Sequence, residues 1–133
     1  MRITVWVDAW QIQCCGVPFA VGQEVSWRLS EDVDREWLTS VLGADAAQAI
    51  RFSYEHHGRL PEDAPHTPGT VLQINAAHGR YAPAAGGNGR TLYPLPGSGQ
   101  LAAVDSADGW DAVALNMHFN GYVVDLDVTD GGE

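Results

Sequence analysis

The chain of 133 residues contains no lysine. All seven of its basic residues are arginine, and none follows Arg90. The absence of lysine removes Schiff-base and lysine-nucleophile chemistry from the chain itself. From Thr91 to Glu133 there are seven acids (Asp105, Asp108, Asp111, Asp125, Asp127, Asp130 and Glu133) and no base. The net charge is −10. Affinity for a phosphate backbone comes largely from Lys and Arg displacing counterions, so direct nucleic-acid binding is not expected. Plain solubility is the simpler account of this charge, with a basic protein partner, or mimicry of nucleic acid towards such a partner, left open. Cysteine is also scarce: two residues, side by side, do not make a disulfide scaffold. No apolar run approaches the roughly 20 residues that a membrane helix needs, so no membrane segment is expected. Gly-x-Ser-x-Gly is absent, and Gly86-Gly-Asn-Gly89 lacks the lysine of a phosphate loop. No two histidines have the four-residue spacing of a helical metalloprotease motif.

The residues that are present alternate more than they spiral. Ile3, Val5 and Val7 fall on one side of an opening strand, with Thr4 and Trp6 on the other. The start has no apolar stretch before a small-residue cleavage site, so it reads as a strand and not a signal peptide, and a cytoplasmic location is the expectation. Gln11 to Cys15 reads as an extension of that strand after a bulge, broken by Gly16 and Pro18. Val25, Trp27 and Leu29 line one face of a second strand.

The period then changes. Val33, Trp37 and Val41 recur every four residues, with Leu38 and Leu42 beside them, which predicts an amphipathic helix over 30–43. Asp32 or Asp34 suits its cap, and Gly43 its end. A second helix is expected from Asp45 to about Gly58, although Ile50-x-Phe52-x-Tyr54 also alternates. Strand patterns return over 69–77, in Arg90-Thr-Leu-Tyr-Pro and over 101–104. Ala114 to Val128 reads as a hairpin turning at Asn120-Gly121, since Asn-Gly tolerates the positive φ of a tight turn. The expected fold is α+β and mainly β: a small barrel or curled antiparallel sheet, with a helical pair inserted after the second strand. One domain spans 1–128, and the acidic tail 129–133 is expected to fray.

Two concentrations of ligand-type side chains stand out. Cys14 and Cys15 could hold a metal, act as nucleophile or form a vicinal disulfide. Adjacent residues on a strand diverge, so the simpler account is two free thiols packing as small hydrophobes. His56 and His57, preceded by Glu55, would complete a zinc site with the cysteines if the chain brought them together. Their simpler role is at a helix C-terminus, where donors meet unpaired carbonyls. No cofactor is required by the pattern; zinc is the ion such a set would hold. The five tryptophans are many for this length. Trp27 and Trp37 read as core. Trp6, Trp10, Tyr81 and Tyr93, with Asp125 and Asp127, are the candidates for a binding surface, although a packed second core is the simpler account of the aromatics.

Three stretches carry a resemblance over nearly the whole chain. They are Val5-Trp-Val-Asp-x-Trp-Gln-x-Gln-Cys-Cys-Gly-x-Pro-Phe-x-Val-Gly22, then Glu55-His-His-Gly-x-Leu-Pro-Glu-Asp63, then Arg90-Thr-Leu-Tyr-Pro-x-Pro-Gly-Ser-Gly99. The combination resembles a small actinobacterial family of unknown function. That resemblance implies a bacterial cytoplasmic protein and brings no activity, cofactor or catalytic residue. The expected function is a non-enzymatic acidic binding or regulatory module. The alternative is a metal- or thiol-dependent enzyme using Cys14 and Cys15 with His56 and His57.

Overall fold

A computed structural model describes residues 1–14, 16–55, 60, 63–83, 89, 91–111 and 117–128. In chain order the elements are β1 (Arg2–Asp8), α1 (Ala9–Cys14), β2 (Phe19–Ala20), β3 (Glu24–Trp27), β4 (Leu29–Ser30), α2 (Arg35–Leu42), α3 (Ala44–Ala49) and β5 (Phe52–Tyr54). They continue with β6 (Thr67–Gly79), β7 (Tyr81–Pro83), β8 (Leu92–Pro94), β9 (Gln100–Val104), β10 (Ser106–Ala107) and β11 (His118–Val128). Among the described residues, no helix is long and apolar enough to cross a membrane.

The main sheet runs β3-β6-β11-β1-β5-β4, with β9 also paired to β6. Its two end strands are separated in sequence by Arg28 alone. One bent stretch, Glu24 to Ser30, therefore touches both ends: β3 pairs with β6, and β4 pairs with β5. The sheet curls into a nearly closed barrel for that reason, as the mainly-β expectation anticipated. Two small sheets, β10-β2 and β7-β8, lie off it.

The alternation of β1 decides which side chains fill the barrel. Ile3, Val5 and Val7 point inward with Ile74 and Ala76 of β6 and Tyr122, Val124 and Leu126 of β11. Trp6 points outward with Ala77 and Val123, and there it meets Leu38, Ala47 and Ile50 from the helical layer. Both faces of β1 are thus buried, one by the barrel and one by α2 and α3. Leu38 and Ile50 are fully buried, and each such side chain contributes roughly 1.5–3 kcal/mol by leaving water.

The helical pair holds itself together locally. Asp34 caps α2, its Oδ1 accepting from Trp37 N at 3.1 Å. Arg35 Nη1 donates to the carbonyls of Ala47 and Ile50, both at 2.9 Å, and so ties the end of α3 to the start of α2. Asp34→Ala should lower stability by about 1 kcal/mol, since a helix loses a side-chain acceptor at its first turn. A thermal melt in which this variant matches the parent would show the cap to be idle.

Three expectations need correction. Gln11 to Cys14 is helix and not strand: α1 buries Ala9, Gln11 and Ile12 against the barrel end, a spacing that a one-turn helix satisfies. The second helix stops at Ala49, and the alternation over 50–54 becomes β5, parallel to β1 through Val5↔Phe52 and Trp6↔Ser53. Asn120-Gly121 is not a turn. β11 runs straight through it with a bulge between Phe119 and Gly121.

Candidate functional site

β5 ends at a wall between two clefts. Tyr54 and Glu55 line both of them. Both residues are buried, and they are placed there by the strand that alternates out of the helical layer. Glu55 is held from two sides. Its backbone N–H donates to Arg28 O at 3.0 Å, and Gln11 Nε2 from α1 approaches its Oε1 at 3.4 Å.

The first cleft, about 350 Å³, opens beside the bent Glu24–Ser30 stretch. Its floor is a chain of edge-to-face rings, Phe19 on Trp27 at 4.9 Å and Trp27 on Tyr54 at 5.0 Å. Its rim carries Glu24, Arg28 and His66, with Arg28 Nε 3.4 Å from His66 Nε2.

The second cleft, about 520 Å³, lies between α2, β1 and β5. Trp6 and Trp37 meet edge-to-face at 5.8 Å on one wall. Asp8, Asp32, Asp34 and Glu55 supply four carboxylates to the lining. Trp6 Nε1 donates to Asp8 Oδ1 at 2.9 Å, which fixes both the indole and the carboxylate. The acids line an extended cleft rather than closing on a point. Among the described residues, no three His, Cys, Asp or Glu side chains are grouped so as to hold a metal ion.

The residues proposed from sequence fall in several places. Trp6 is 3% exposed and lines the second cleft, whereas Trp10 is half exposed at the start of α1. Tyr81 donates its hydroxyl to Asn120 Oδ1 at 2.6 Å and stands edge-on to His118. Tyr93 is exposed on β8, opposite Ala82 of β7. Asp125 accepts from Arg2 Nη2 at 2.6 Å and Thr4 Oγ1 at 2.8 Å. Asp127 pairs with the N-terminal amine at 3.4 Å. Asn120 and Asp125 are five residues apart on one strand, hence roughly 17 Å.

Cys14 is disulfide-bonded. Cys15, His56 and His57 lie outside the described residues, as does the tail 129–133.

Both clefts sit inside the stretch that a family profile matches, residues 1–128. The chain belongs to DUF6578, a family of unknown function. No curated protein and no solved structure matches it. The family's match takes in every described residue of barrel, helical pair and clefts.

Sequence reasoning placed Trp37 in the core and read Asp32 and Asp34 as helix caps alone. It missed that the helical layer leaves a gap over β1 and β5 which those same residues line. The available signal was the alternation Ile50-x-Phe52-x-Tyr54. Read as a strand, it brings Ser53, Tyr54 and Glu55 alongside Trp6 and Asp8.

Proposed function

We propose that this domain is a non-enzymatic binding module whose second cleft receives a lysine or arginine side chain from a basic protein partner. The observation that carries this reading is the Trp6–Trp37 pair set among four carboxylates in one cleft. A cation over an indole is attracted by the ring quadrupole, and more strongly where water is excluded. Carboxylates beside it add charge-assisted hydrogen bonds. The spread of the acids suits an elongated side chain, whose stem can lie on the half-buried Trp37 indole while its head reaches an oxygen. The net charge of −10 would steer such a partner inward from a distance.

The test is a titration of the full chain with a hexa-arginine peptide and a hexa-glutamine control, read by tryptophan fluorescence and calorimetry. Saturable binding of the arginine peptide alone is expected, and it should weaken as salt rises. Trp37→Leu and Asp32→Asn should each weaken it by roughly tenfold, the size of a partly desolvated cation–π or ionic contact. Circular dichroism establishes that both variants are folded. Equal binding by parent and variants, or no binding of the cationic peptide, overturns the proposal.

A further inference from the structure

We propose that the outer edge of β9 pairs with the same strand of a second copy, joining two barrels through a continuous antiparallel sheet. β9 lies on the side of β6 away from β11, end to end with β3. It pairs with β6 from His78↔Gln100 to Ile74↔Val104. Among the described residues, no backbone group of Gln100–Val104 bonds to any other element. Half of its N–H and C=O groups therefore face outward in a row, a ready template for another strand.

Natural edge strands are blunted by charge, proline or a bulge. β9 has none of these. Its sequence is Gln-Leu-Ala-Ala-Val, and its ladder with β6 has no register shift. Gln100 to Ala103 are exposed, with Leu101 at 43%. Small alanines at the centre leave room for close approach.

The occupant is specified by register and charge. A two-fold axis at Ala102 sets Ala102 against itself, Leu101 against Ala103 and Gln100 against Val104. Asp105, the first charge after the strand, then faces Gly99 and not a second Asp105. The edge is thus self-complementary, with no like charges opposed. What resists pairing is the long-range repulsion between two chains of −10 each, and salt screens that term.

Sedimentation equilibrium of the full chain over a wide concentration range is the test. A monomer–dimer equilibrium is expected, and it should tighten between low and high salt, the opposite of the cationic-peptide result. Ala102→Lys and Ala102→Glu place like charges directly across the axis. Each should weaken dimerisation by at least about fivefold. An equimolar mixture of the two should restore it as a heterodimer. Ala102 is exposed, so thermal melts of both variants should match the parent; Leu101→Gln, which removes only exposed apolar area, is the second probe should either lysine or glutamate unfold the chain. A monomer at every concentration and salt overturns the proposal. So does a dimer that the Ala102 variants leave unchanged, since that dimer would use another face.

Discussion

Gly121→Ala should cost at least about 3 kcal/mol, enough to remove much of the stability of a domain this size. The reason lies in the bulge. Gly121 has φ +153, where side chains other than glycine's are strained. A methyl group built there overlaps the carbonyl oxygen of Val7 and comes within 2.9 Å of Trp6 Cζ2. Neither can yield cheaply. Val7 O belongs to the β1 ladder, where Val7 faces Tyr122, and Trp6 is clamped by its bond to Asp8. Gly22→Ala is the control. Gly22 also has positive φ, +89, but nothing lies within 4 Å of an added Cβ. It should lose only about 1 kcal/mol, the cost of conformation without collision. Urea denaturation of both variants separates the two terms. Equal losses would show that β1 and β11 do not approach as closely as described.

The same glycine shows where sequence reasoning stops. Asn-Gly between alternating runs predicts a hairpin because both residues tolerate positive φ. The prediction of unusual backbone at Gly121 was right, and the consequence drawn from it was not. A bulge and a turn ask for the same residue. What separates them is the partner strands: β6, against which the bulge forms, and β1, more than a hundred positions away, are invisible to a local pattern. The inward faces of β1 and of β11's second half were legible, because a strand with one face in the barrel must alternate. For Trp6 a packed second core was the simpler account, and α2 and α3 supply that core by covering the outer face of β1. The second cleft was hidden. Asp8, Asp34 and Glu55 belong to three separate stretches, each with a sufficient local role as strand end, helix cap or strand end. Only the parallel β1–β5 pairing makes them neighbours.

Tyr122→Phe should weaken the protein at neutral pH and make it more resistant to alkali than its parent is. Tyr122 is fully buried, edge-on to Phe19 and Phe119, and its hydroxyl accepts from Gly109 N at 3.0 Å. Removing that oxygen strands a buried N–H, at a cost of about 1–3 kcal/mol. The alkaline effect has the opposite sign. Burial first, and then the neighbouring Asp111 carboxylate, push the Tyr122 pKa well above 10. Tyr54, raised by burial and then by Glu55, and Tyr81, raised by burial and then by Asp8, move the same way. Such a group stays protonated in the fold while the unfolded chain gives up its proton near pH 10. Its stabilising contribution is complete below that pH and is lost as pH rises towards the folded value. For a fully held tyrosine the loss approaches about 1.4 kcal/mol per pH unit. Tyr81, only half buried, contributes less. The chain has no lysine to titrate in the same window, so the slope above pH 10 is not blurred by amines of that kind. Urea midpoints from pH 7 to 11 should therefore converge for parent and variant as pH rises, the variant starting lower and falling more gently. Parallel curves would show that Tyr122 ionises as readily in the fold as in water, and that the centre of the barrel is wetter than its packing implies.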